Sequence, residues 1–235
     1  MRGRSGRDSP KYQEQAISRI IMVRHGETDW NVERRAQGWN DQPMNERGRQ
    51  QAALAGVYVR QKFKPSQVWT SDLKRCSETA DVIGLPYRSS KTLREVRFGD
   101  WEGKLWADIF KEAPELASRW VAGDPGFSAP GGERISDLVA RAGRFIKEAD
   151  LLSGDGDIAI VSHGGTMRAL IVALLGLPVD ATVKFYAANC SVSVVAAVSG
   201  TVRLESLNET AHLDGAGLAP VNTTPGITAH QRPAG

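Results

Sequence analysis

The chain has 235 residues, of which 41% are apolar and 24% charged, and its formal net charge is +3. This is the composition of one globular α/β domain with peripheral additions. The small net charge lacks the broad basic excess that nucleic-acid binding exploits, and no apolar run approaches the ~20 residues that span a bilayer; neither nucleic acid nor membrane is expected as a partner.

Two cysteines, Cys76 and Cys190, form neither a metal-type cluster nor a disulfide framework, which suits a reducing compartment. The segment Met1–Ser18 has no apolar stretch of the secretory kind, so a cytoplasmic protein is expected. Its Arg2, Arg4, Arg7 and Lys11 read as a short solvated tail, 1–18, ahead of the domain.

The first predicted element is the apolar run Ile20-Ile21-Met22-Val23, a buried strand that ends on Arg24-His25-Gly26. A histidine at a strand end has little reason to pack. An arginine beside it repels its protonated form unless an anion sits near both, so the expected ligand is negatively charged. Arg34 to Met44 reads as a loop. A helix is predicted from Asn45 to Phe63, closed by Pro65, then a short strand Val68-Trp69-Thr70 that delivers Ser71, then a helix over Leu73–Ile83 carrying Arg75 and Cys76. Cys76 reads as a small buried residue of that helix.

Lys104 to Gly132 breaks the strand–helix rhythm with two short helices, read as a cap over the site. A longer helix is predicted over Glu133–Leu152. Ile158-Ala159-Ile160-Val161 then repeats the opening construction, running into Ser162-His163-Gly164-Gly165 and a helix to Leu175. Late strands are predicted at Ser191–Val198 and Thr201–Leu207, and Asp214–Gly235, rich in Gly, Pro, Ala and Thr, is expected to be disordered. The alternation predicts an α/β fold: a three-layer α/β/α arrangement with a mostly parallel central sheet and a small helical cap insertion. In such a sheet, active residues gather outside the carboxyl ends of strands, so His25 and His163 are expected to meet.

Five ordered pieces give a resemblance. They are Arg24-His25-Gly26-Glu27-Thr28 with Asn31, then Ser71 to Ala80, then Leu93-Arg94-Glu95 to Gly103, then Pro130-Gly131-Gly132-Glu133, and last Ser162-His163-Gly164-Gly165. Together the chain resembles the histidine phosphatase superfamily, the phosphoglycerate mutase-like proteins, over roughly 19–213. The resemblance implies that His25 accepts a phosphoryl group and that Glu95 stands at the general-acid position. Beside these, Arg24, Arg75 and His163 are expected to hold phosphoryl oxygens, Asn31 to add a neutral donor, and Gly164 to let backbone approach phosphate. Glu27, Glu78 and Glu102 are expected to orient loops and arginines.

No His-Glu-x-x-His helix or similar pattern occurs, so no metal and no cofactor is expected. The segment Arg97 to Gly103 resembles the phosphatase branch, including α-ribazole phosphatases, more than the mutases. The expected reaction is hydrolysis of a small-molecule phosphate ester. Phosphoglycerate mutase-type transfer and a non-catalytic regulatory protein that binds a phosphate ligand stand as alternatives, and a homodimer is left open. Lys104, Trp106, Phe110, Arg119, Trp120 and Phe127 are candidates for a substrate wall.

Overall fold

Ile20, Ile21, Met22 and Val23 are all buried, because the strand that carries them has a helical layer on each side. A computed structural model describes residues 17–153, 156–198 and 200–220 of the chain. In chain order the elements are β1 (Ile17–Arg24), α1 (Asp29–Val32), α2 (Glu46–Lys62), β2 (Pro65–Ser71), α3 (Lys74–Asp81), β3 (Tyr87–Ser90), α4 (Trp106–Glu112) and α5 (Pro114–Ala122). They continue with α6 (Ile135–Glu148), β4 (Gly156–Ser162), α7 (Gly164–Leu174), β5 (Val192–Val198), β6 (Thr201–Glu209) and α8 (Ala211–Asp214).

The six strands form one sheet in the order β3-β2-β4-β1-β5-β6. The four strands from β3 to β1 are parallel; β5 pairs antiparallel with β1, and β6 antiparallel with β5. Successive side chains of a strand face opposite sides. Ile20 and Met22 accordingly join α6, α7 and the cap in one apolar cluster, while Ile21 and Val23 join α2 and α3 in the other. This is the expected three-layer α/β/α arrangement.

Three details differ from the sequence expectation. β3 was not expected, because Tyr87-Arg88-Ser89-Ser90 is an edge strand with little to bury. The first strand begins at Ile17, three residues ahead of the apolar run that announced it, while residues 1–16 of the expected tail lie outside the described chain. At the other end the chain continues past residue 213 along α2. The Leu218 carbonyl accepts from Gln51 Nε2 at 3.2 Å and the Ala219 carbonyl from Arg47 Nη2 at 2.9 Å. Residues 221–235 lie outside the described chain. No helix among the described residues is long and apolar enough to cross a membrane.

Candidate active site

β1 and β4 are neighbours in register, Arg24 opposite Ser162. The residues that follow therefore emerge side by side: the His25 N–H donates to the Ser162 carbonyl at 2.9 Å, and the His25 and His163 ring centres are 5.2 Å apart. On the opposite flank, the Cys190 N–H reaches the Arg24 and His25 carbonyls at 3.1 and 3.3 Å. The Asn189 amide adds a bond to the His25 carbonyl at 3.0 Å. The His25 backbone is thus held from both sides at the carboxyl edge of the sheet.

His25 is buried, and its Nδ1 lies 2.7 Å from the Gly26 carbonyl. A carbonyl only accepts, so Nδ1 carries the proton and the lone pair is on Nε2. Burial first, then the Arg75 and Arg24 guanidiniums, push the imidazole well below its ordinary pKa; the Gly26 carbonyl pulls weakly the other way. The ring is neutral at physiological pH, which is the form a nucleophile needs.

His163 is placed differently. It has no exposed surface; Arg75 Nε donates to its Nδ1 at 3.2 Å, and its Nε2 lies 2.9 Å from Ser71 Oγ. Burial, followed by Arg75 and His25, drives its pKa well down. The Cys76 sulfur rests 3.4 Å from Nε2, and burial pushes that thiol up, as expected for a packed residue and not for a nucleophile. His163 does not line the cavity that His25 opens on. What it touches is Arg75, whose Nη1 and Nη2 donate to the Asn40 and Gly38 carbonyls at 2.7 and 2.8 Å. Arg75 does line the cavity, as do Arg24, Asn31, Glu95 and Gly164. Arg24 Nη1 is fixed by the Ala187 carbonyl at 2.7 Å.

The Glu95 carboxylate lies over the first turn of α7, where Gly165 and Thr166 N–H donate to it at 3.1 and 3.2 Å, and its own loop adds Val96 N–H at 2.9 Å. Unpaired amides at a helix start make it a natural seat for a carboxylate. Gly165 is what leaves room, since a Cβ there would overlap Glu95 Oε1. At Gly164 a Cβ would meet the Arg24 guanidinium only at ordinary contact distances, 3.5 to 3.7 Å. Within the protein, the closer approach is therefore at Gly165. Asn31 serves its own turn through Oδ1, which accepts from Thr28 N–H at 3.1 Å and Asn189 Nδ2 at 3.1 Å; that cap leaves the Nδ2 donor uncommitted.

Glu27, Glu78 and Glu102 hold loops: Glu27 Oε1 accepts from Asn45 Nδ2, Glu78 from Met44 N–H, and Glu102 from Trp39 and Phe98 N–H. Of the expected wall, Trp106 and Trp120 line the cavity. Lys104 and Arg119 do not: they pair with Glu112 and Asp124 at the surface, while Phe127 is buried in the apolar cluster and Phe110 packs against it.

Sequence reasoning missed Arg34, Arg168, Trp30 and Tyr186 of the lining, and Arg141 behind Glu95. Arg141 donates to the Thr92, Arg94 and Glu95 carbonyls and to Glu133, and so fastens the segment that carries the carboxylate. An arginine amid the apolar positions of α6 was the available signal. Among the described residues no group of three or more His, Cys, Asp or Glu side chains is placed to hold a metal ion.

Comparison with known proteins agrees with this geometry. The family model of the histidine phosphatase superfamily (branch 1) matches residues 20–210. A glucosyl-3-phosphoglycerate phosphatase of Mycolicibacterium vanbaalenii is 34% identical over 175 residues, which cover 70% of this chain and 77% of that protein. A probable phosphoglycerate mutase of Yersinia pestis is 35% identical over 205 residues, 83% of this chain and 94% of that protein. Among solved structures, a mycobacterial glucosyl-3-phosphoglycerate phosphatase in complex with VO3 superposes with a TM-score of 0.74 at 33% identity, covering 81% of this chain and 98% of its own. The chain belongs to the histidine phosphatase superfamily and is a phosphatase-type enzyme.

Proposed function

We propose that the protein is a metal-independent phosphomonoesterase that hydrolyses a small phosphorylated metabolite through a phosphohistidine on His25. The observation that carries this reading is the placement of that ring, with Nδ1 committed to the Gly26 carbonyl and Nε2 left for a nucleophile's role, in a cavity with Arg24 and Arg75; burial and the two guanidiniums favour its neutral form. Nε2 attacks phosphorus and the P–O ester bond breaks, with Glu95 giving its proton to the departing oxygen. The same carboxylate then takes a proton from water, whose oxygen attacks phosphorus as the N–P bond breaks; phosphate leaves and His25 is restored. Arg24 and Arg75 stabilise charge on the transferring oxygens, and His163 acts by holding Arg75.

Hydrolysis is favoured over phosphoryl return to an isomer because a mutase must keep water from its phosphohistidine. Here the cap is two short helices, Trp106–Glu112 and Pro114–Ala122.

Enzyme quenched in acid during turnover is expected to carry acid-labile, base-stable phosphate on His25. Label on a serine, or none, overturns the mechanism. Chelators are expected to leave kcat/KM unchanged and vanadate to inhibit; activity lost in chelator and restored by a divalent cation rules the metal-free site out. A panel of phosphate monoesters that includes sugar, glycerate and α-ribazole phosphates, read as ratios of kcat/KM, identifies the substrate.

A further inference from the structure

Arg75 and Glu95 act on one ester from two sides, Arg75 on the transferring group and Glu95 on the oxygen that leaves. A proton donor misplaced by about 1 Å loses much of its effect, so the spacing of the two side chains matters as much as their presence. Arg75 belongs to α3, and the Glu95 carboxyl sits on the first turn of α7. One link between them is His163, which bonds Arg75 and precedes α7. A second link is the loop between α1 and α2.

In that loop the Gly38 and Asn40 carbonyls accept from Arg75 Nη2 and Nη1, and Asp41 Oδ1 accepts from the N–H of Lys74, the residue before Arg75, at 2.7 Å. Trp39, between the two carbonyls in sequence, reaches Glu95 instead: its indole Nε1–H donates to the Glu95 carbonyl at 2.7 Å. The loop is braced where it does so. Trp39 N–H donates to Glu102 Oε1 at 3.0 Å, and Gly38, at φ +54°, has no room for a Cβ, which would overlap that carboxylate. The Arg94 and Arg97 guanidiniums lie 5.0 and 5.8 Å from the indole ring, and Asp72 holds Arg94 through two bonds at 2.7 and 2.6 Å. Trp39 itself does not line the cavity. Arg141 also donates to the Glu95 carbonyl, at 3.1 Å, but its remaining bonds go to Thr92, Arg94 and Glu133, none of which touches Arg75.

We propose that Trp39 is a positioning residue for the general acid. The three residues Gly38-Trp39-Asn40 fix the phosphoryl-holding guanidinium with two carbonyls and the main chain of Glu95 with one indole, and so set the distance from the transferring group to the proton donor. The indole does not meet substrate; its hydrogen bond acts through Glu95, in the proton given to the departing oxygen and in the proton taken from water. This inference rests on the phosphomonoesterase reading and adds a residue to its machinery.

The test follows single-turnover phosphorylation of His25 by an alkyl and an aryl phosphate in Trp39→Phe, which keeps an aromatic ring beside Arg94 and Arg97 and loses the N–H. Cleavage of the alkyl ester is expected to slow about three- to tenfold, the effect of one neutral hydrogen bond, while the aryl rate stays within about twofold of wild type. The aryl rate also shows that the variant is folded. In a Glu95→Gln background the same substitution is expected to cost the alkyl ester nothing further. Trp39→Ala, which removes the ring and releases the loop that holds Arg75, is expected to slow both esters. Equal slowing of the two by Trp39→Phe, no slowing of either, or a loss that persists undiminished in the Glu95→Gln background overturns the role; an aryl rate untouched by Trp39→Ala overturns the link to Arg75. The wild-type enzyme and Glu95→Gln report the catalytic reading separately. If phosphohistidine forms and Glu95→Gln slows the alkyl ester selectively while Trp39→Phe does not, only the positioning role falls; if no phosphohistidine forms, both fall.

Discussion

His25 and His163 end matching strand-to-glycine segments on neighbouring parallel strands, yet the structure gives them opposite surroundings. His25 meets the cavity with one nitrogen tied to a carbonyl and the other uncommitted. His163 stands behind it with one nitrogen on Arg75 and the other on Ser71. The difference comes from the neighbours. β1 lies between β4 and the antiparallel β5, while β4 lies between β1 and β2, whose end delivers Ser71 and leads into the helix that carries Arg75. A motif delivers a residue type to a sheet edge; adjacent strands decide which atom of that residue is left for chemistry.

That contrast predicts graded losses. His25→Ala is expected to lower kcat by roughly 10⁴-fold or more and to abolish the phosphoenzyme, because a covalent route has no substitute for its nucleophile. A substantial residual rate with phosphate trapped on His163 would reverse the two roles.

Glu95→Gln comes next and depends on the leaving group. It is expected to slow alkyl phosphate cleavage by roughly 10²- to 10⁴-fold, while phosphorylation of His25 by an aryl phosphate suffers far less, since a phenolate departs without a proton. Equal slowing of both in single-turnover measurements assigns the acid to another group.

His163→Ala is expected to cost on the order of 10²-fold through Arg75. If so, its effect and that of Arg75→Ala are not additive, and the double variant is no slower than the worse single one. Additive losses would mean that His163 contacts the phosphoryl group itself.

The smallest effect is on stability. Both imidazoles are held neutral in the fold and are depressed below the ordinary value of 6.5. Below that pH the unfolded chain binds protons that the folded one does not. Stability therefore falls as pH drops from 6.5 toward the folded-state pKa values, by up to about 1.4 kcal/mol per pH unit for each ring. Urea unfolding midpoints across this range check the sign, and His163→Gln, if it folds, should flatten the slope.

Much of this was legible from the chain itself. Continuous apolar runs before Arg24 and Ser162 announce strands buried on both faces, and the glycines after each histidine announce the turn. The cavity's Trp106 and Trp120 were named in the sequence, but without the means to separate them from Phe127, because all three are apolar side chains in one short segment and only packing decides which faces outward. Arg168 was hidden because it follows the motif glycines at a helical spacing that composition does not mark. Arg141 was hidden because its partners are backbone carbonyls, which leave no trace in side-chain patterns. The edge strand β3 lacks the apolar content by which strands announce themselves.

The cap has a kinetic consequence. Phe98, Trp101, Trp106, Trp120 and Phe127 pack edge to face and stacked upon one another, and all but the partly exposed Trp120 are buried members of the same apolar cluster as Ile20, Met22 and Met167 beneath them. Lifting α4 and α5 would open the core itself, at a cost comparable to exposing several large side chains. Substrate must then enter and phosphate leave through a standing mouth instead of a hinged one. Turnover by this enzyme should depend little on solvent viscosity, and its saturated rate should report bond-making at phosphorus.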